Sequence, residues 1–140
     1  MGMNVYGRNP SAESGEFFRA NVWHWRPIHE LICELCFDLL DDGLIEAMAF
    51  NDGQGPHDHA TCIEIAKRFE AWLADNGDGY TFPSPDIQAT EEGRLVFEDE
   101  LDQFRRENPG VKTRSPYRVS HEGLVEWTEF LKHCGGFEVW

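Results

Sequence analysis

Two short runs carry the side chains most able to do chemistry. Cys33-Glu34-Leu35-Cys36 offers two thiols, and His57-Asp58-His59 offers two imidazoles. Zinc takes four such ligands in a tetrahedron, so Cys33, Cys36, His57 and His59 form a candidate metal set. A plainer reading competes. The thiols are small apolar residues on a buried helix, and the His-Asp-His run is a polar loop whose Asp or His caps the next helix. The CxxC falls inside a helical pattern rather than on a knuckle turn, so its spacing alone does not specify a zinc site. A redox pair is disfavoured on similar grounds. A reactive CxxC sits at a helix N-terminus, whereas these thiols lie within a helix beside Glu30 and Glu34, which oppose thiolate formation.

Other catalytic patterns do not emerge. The chain has no GxSxG elbow, HExxH, P-loop or GxGxxG. His29-Glu30 and His121-Glu122 are adjacent pairs, and adjacent residues on a helix do not face each other. No catalytic residue is assigned, and no cofactor is expected. A third constellation, Trp23, Trp25 and Arg26, uses the residue types enriched at binding hot spots. These three are the candidate partner-binding residues, with core packing of at least one indole as the competing account.

The elements that must position these residues read as helices. Pro27 suits a first turn, and Ile28, Leu31, Ile32, Leu35 and Leu39 recur at helical spacing until Gly43. Glu30, Glu34, Asp38 and Asp41 make an acidic stripe along the same rod. A short helix over 44–50 follows. Thr61 and Glu64 have capping-box spacing ahead of a helix with Cys62, Ile65, Ala66, Phe69, Trp72 and Leu73 on one face. Residues 78–85 read as loop. Phe97, Leu101 and Phe104 predict a long acidic helix over 91–107. Ser120 is a good N-cap for a last helix carrying Leu124, Trp127, Phe130, Leu131 and Cys134. Residues 137–140 alternate and read as a docked strand or anchor, whereas 1–16 read as an irregular arm. The expected fold is a mainly α, single-domain bundle over 1–140 of about four helices, with a small extended piece near the C-terminus.

Composition narrows the function classes. Twelve Lys and Arg against twenty-six Asp and Glu leave a formal charge of −14 over 140 residues. Such a field repels nucleic-acid phosphates and anionic lipid, so direct nucleic-acid or membrane binding is not expected. No run reaches the ~18 apolar residues of a membrane span, and the polar N-terminus lacks an export signal. A cytoplasmic location with reduced thiols is the expectation.

The two ends also carry a resemblance. Asn4 to Gly7 (NVYG), Trp23 to Pro27 (WHWRP), Asn51 to Gly53 (NDG) and the run from Phe130 to Trp140, with its GGFE-aromatic close, are similar to a family of small uncharacterised bacterial and phage-borne proteins. Many of those relatives carry a CxxCxGxG insert in the middle. Here that place holds the acidic 86–107 segment, so the resemblance transfers no zinc-finger function and no catalytic residues. It implies an accessory or mobile-element protein.

Together these readings point to a non-enzymatic acidic interaction or regulatory module whose partner is another protein, a basic one fitting the charge. Two alternatives stand beside it. One is a nucleic-acid mimic whose spaced carboxylates occupy a basic DNA- or RNA-binding protein. The other is a small metal-binding protein using Cys33, Cys36, His57 and His59.

Overall fold

The computed structural model describes residues 2–140. It corrects the expected mainly α bundle: among the described residues, five α-helices stand beside eight strands in three antiparallel sheets. The first correction lies at the N-terminus. The presumed irregular arm opens with strand β1 (Gly2–Gly7), in which Met3 and Val5 point inward while Tyr6 points to solvent. After a single 3-10 turn (Glu13–Gly15), strand β2 (Phe17–Asn21) repeats the alternation, burying Phe18 and Ala20. The last strand, β8 (Phe137–Val139), pairs on the other side of β1, so the sheet order is β2-β1-β8. The docked C-terminal strand was legible as such; its partner at the far end of the chain was not.

Between these strands the arm is held by backbone contacts. Arg8 N–H donates to Gly136 O, Asn9 N–H to Cys134 O and Ser11 N–H to His133 O, at 2.8–3.0 Å. The Arg8 guanidinium donates to the carbonyls of Gly55, Pro56 and Phe137 and pairs with Glu138 at 2.8 Å. Residues 53–56 run along the outer side of β8, with Phe137 N–H donating to Pro56 O and Val139 N–H to Gln54 O. That edge is therefore covered.

Helix α1 (Val22–Cys36) begins five residues before Pro27. Asn21 is its N-cap, its side chain accepting the His24 N–H at 3.0 Å. Pro27 falls in the second turn, where its missing N–H leaves only the Trp23 carbonyl without an intrahelical donor. The helix stops at Cys36, short of Gly43, because the chain turns to place Asp41 as N-cap of α2 (Asp42–Ala47). Helix α3 (His59–Asp75) is capped by Asp58, which accepts the Thr61 N–H at 2.9 Å, rather than by Thr61 itself.

The middle of the chain departs furthest from the expected bundle. Strands β3 (Tyr80–Thr81), β4 (Ile87–Thr90) and β5 (Leu95–Phe97) precede α4 (Glu98–Glu107), so only the second half of the 91–107 segment is helical. Strands β6 (Thr113–Arg114) and β7 (Arg118–Val119) follow, giving the sheets β5-β4-β6 and β3-β7. Val96, Leu101 and Phe104 form a satellite core there. Helix α5 (His121–His133), capped by Ser120 as expected, packs against α3 and beneath β2. Trp127 stands at the centre of the main core, in ring contact with Phe18, Trp25, Phe69, Phe130 and Phe137.

Candidate interaction surface

The three aromatic-arm residues do not form one patch. Trp25 is 2 % exposed, and its Nε1–H donates to Met48 O at 2.8 Å. It belongs to the core and is withdrawn as a partner-binding residue. Trp23 lies two positions away, on another side of the helix, and its ring rests 5.0 Å from that of Tyr117. The Arg26 guanidinium sits 5.1 Å from the ring centroids of both Phe82 and Tyr117. Trp23 and Arg26 thus fasten the 80–119 segment onto α1, a cation–π and ring-stacking clamp within the chain.

The candidate metal ligands do not converge either. Among the described residues, no group of three or more His, Cys, Asp or Glu is placed to hold a metal ion. Cys36 is fully buried, whereas His57 and His59 are exposed at the start of α3. This overturns the four-ligand set of Cys33, Cys36, His57 and His59. The Cys33 thiol is half-buried near His29 Nδ1, at 3.9 Å, and burial together with Glu30 pushes its pKa up. Cys36 is pushed up to about 11, mainly by burial. The buried Cys62 thiol is pushed up by the neighbouring Cys134 and by burial.

These surroundings set a pH dependence. Folded Cys36 holds its proton more tightly than the unfolded chain, whose thiol titrates near 9.0, so its contribution is complete below that pH and is lost as pH rises toward about 11. Melting temperature should fall across that window, with a shallower slope in Cys36→Ala. Ellman's reagent at pH 8 should reach about one thiol of the native protein, Cys33, and all four in denaturant.

Two of the four carboxylates of the acidic stripe are engaged at the surface of the fold. Asp38 pairs with Arg68, which holds its carboxyl below the usual range, and Asp41 caps α2. On α4, Glu98, Asp99 and Glu100 occupy the first turn, where they complement the helix dipole, and Glu100 also accepts the Phe97 N–H. These carboxylates have structural work that a phosphate-like array would leave undone.

Phe37 and Phe50 stand exposed singly, whereas the outer face of the β2-β1-β8 sheet groups several exposed aromatic rings. The register places Phe17, Tyr6 and Glu138 in one row across the three strands, and Arg19 and Asn4 in the next. Trp140 hydrogen-bonds through its backbone to Asn4 and completes the second row. Phe17, Tyr6 and Trp140 are 42 %, 44 % and 49 % exposed. The Tyr6 and Phe17 rings lie 5.1 Å apart, and Trp140 donates to Glu138 Oε2 while resting on Gly53, where a Cβ would lie 2.5 Å from its ring. Sequence reading missed this face because it depends on β1 being a strand. The alternation of Met3 and Val5 with Asn4 and Tyr6 was the available signal.

No helix among the described residues is long and apolar enough to cross a membrane. No protein-family model matches the chain, and neither a curated protein nor a solved structure matches it.

Proposed function

We propose that this chain is a non-enzymatic protein-interaction module that presents the outer face of its terminal sheet to a partner protein. The observation that supports it is the row Phe17–Tyr6 with Trp140 beside it: three aromatic rings on the terminal sheet, each 42–49 % exposed. Aromatics on a fixed backbone bind at small entropic cost, and their burial supplies the apolar centre that stable interfaces use. The charge of −14 favours a basic partner, which it also attracts at long range. The resemblance at the two ends supports an accessory or mobile-element role. Its matched ends, Asn4 to Gly7 and Phe130 to Trp140, include most of β1 and all of its neighbour β8.

The double variant Tyr6→Ser/Phe17→Ser tests this reading. Both side chains are outward and leave the core intact, so the melting temperature should change by only a few degrees. Cross-linking of the chain in its native cells should recover a protein partner with the wild type and lose it with the double variant. Equal recovery by both proteins would contradict the proposal.

A further inference from the structure

The sheet that carries the aromatic row also has a free edge, and its use by a partner rests on the protein-binding reading. Strand β2 is that edge of the β2-β1-β8 sheet. Gly7 N–H donates to Glu16 O, while Asn4 exchanges both backbone bonds with Trp140. In an antiparallel ladder the bonded residues alternate, so Glu16, Phe18 and Ala20 turn their backbone groups toward β1. Phe17 and Arg19 then turn N–H and C=O outward, where no described residue pairs with them. Native sheets usually blunt such an edge with proline, a bulge or a covering segment. The opposite edge, β8, is covered by residues 53–56, whereas among the described residues β2 carries no proline, bulge or covering segment and has Arg19 as its one charged edge residue.

Charge beside this edge identifies what fits it. Phe18 packs on Trp127 and Phe130, which sets β2 along one side of α5. Glu126 and Glu122 precede Phe130 by four and eight residues, on the exposed flank of the helix on that side. Among the described residues neither carboxylate takes part in an ion pair, whereas Glu129 on the same helix pairs with Lys132. On the other face of the edge stand Phe17 and Tyr6. We propose that β2 accepts an extended segment of a partner protein as a fourth strand. The segment carries Lys or Arg at alternate positions over Glu122 and Glu126, and apolar residues between them beside Phe17 and Tyr6. Main-chain bonds to Phe17 and Arg19 supply affinity, and the alternating side chains supply selectivity.

The probe is a capped eight-residue peptide of alternating Lys and Val, titrated into the full chain at low salt and followed by backbone-amide NMR and hydrogen exchange. The Phe17 and Arg19 amides should shift and become protected. A block isomer with four Lys followed by four Val should bind about tenfold more weakly, since it cannot place charge on one face of a strand. Glu122→Gln/Glu126→Gln should weaken binding about three- to tenfold. Arg19→Pro removes an outward N–H that the sheet does not use, and should weaken binding at least about tenfold. Should that variant fail to fold, a peptide N-methylated on the residues facing β2 supplies the same test. Binding that ignores both backbone blocks and the Glu variants overturns the proposal. So does a dimer by sedimentation that Arg19→Pro abolishes, since the edge would then belong to a second copy of this chain. If the native partner is lost in Tyr6→Ser/Phe17→Ser but kept in folded Arg19→Pro, the added strand is wrong and the sheet-face reading stands. If it is kept in both, the sheet-face reading fails as well.

Discussion

Replacing Trp127 with alanine should cost about 3–5 kcal/mol, close to the whole stability of a marginal domain. The side chain is fully buried and joins elements distant in sequence: Phe18 from β2, Trp25 from α1, Phe69 from α3 and Phe137 from β8. Its removal leaves a cavity whose walls belong to four separate elements, so collapse around the gap is restricted. The indole nitrogen works the other way. Trp127 Nε1–H is buried with no oxygen or nitrogen partner among the described residues. Trp127→Phe removes that unpartnered donor while keeping one ring, and should lose less than half as much as alanine. Urea denaturation of the three proteins checks the order. An alanine variant as stable as the wild type would place the core elsewhere.

Gly15→Ala should be nearly as damaging, for a reason visible only in the backbone. A Cβ at Gly15 would lie 2.0 Å from the His133 carbonyl oxygen, and one at Gly7 would lie 1.9 Å from the Gly15 oxygen. Three stretches of main chain meet there: the end of β1, the 3-10 turn and the end of α5. No rotamer relieves a clash between a Cβ and a carbonyl, so the arm must lift away from α5, at a cost of about 3 kcal/mol. Gly77→Ala is the control, because nothing lies within 4 Å of that position. The expected result is a lowered denaturation midpoint for Gly15→Ala and an almost unchanged one for Gly77→Ala.

The parts of this fold that were legible in sequence share a cause. In α3 and α5, apolar residues keep one face over 17 and 13 residues and Ser120 caps the second, so periodicity outweighs local accident. Strand β1 spans six residues, and its neighbours are β2 and the distant β8. Its alternation is too brief to distinguish from an irregular arm. The strands between Tyr80 and Val119 are two to four residues long and carry no measurable period. Pro27 misled in a particular way. Read as a first-turn residue, it left Trp23, Trp25 and Arg26 outside the helix, as a single aromatic lid. Once α1 starts at Val22, Trp23 and Trp25 stand about 200° apart around the axis and cannot share a face. The burial of Trp25 and the clamp made by Trp23 and Arg26 both follow from that rotation. The CxxC was placed correctly inside a helix, and three cysteines turn out to be buried core residues.

The exposed sheet face shows the same limit from the functional side. Phe17 and Tyr6 are separated by Arg8, Pro10 and a turn, and only the β1–β2 register sets their rings 5.1 Å apart. A surface assembled from both ends of a chain carries no local motif.

The hydrogen-exchange footprint of the chain with and without its native protein partner tests directly whether the terminal sheet is the binding surface. Slowed exchange should concentrate in β1 and β2, with the Phe17 and Arg19 amides the most protected. A footprint confined to α4 and residues 111–119, with β1 and β2 unchanged, would contradict it.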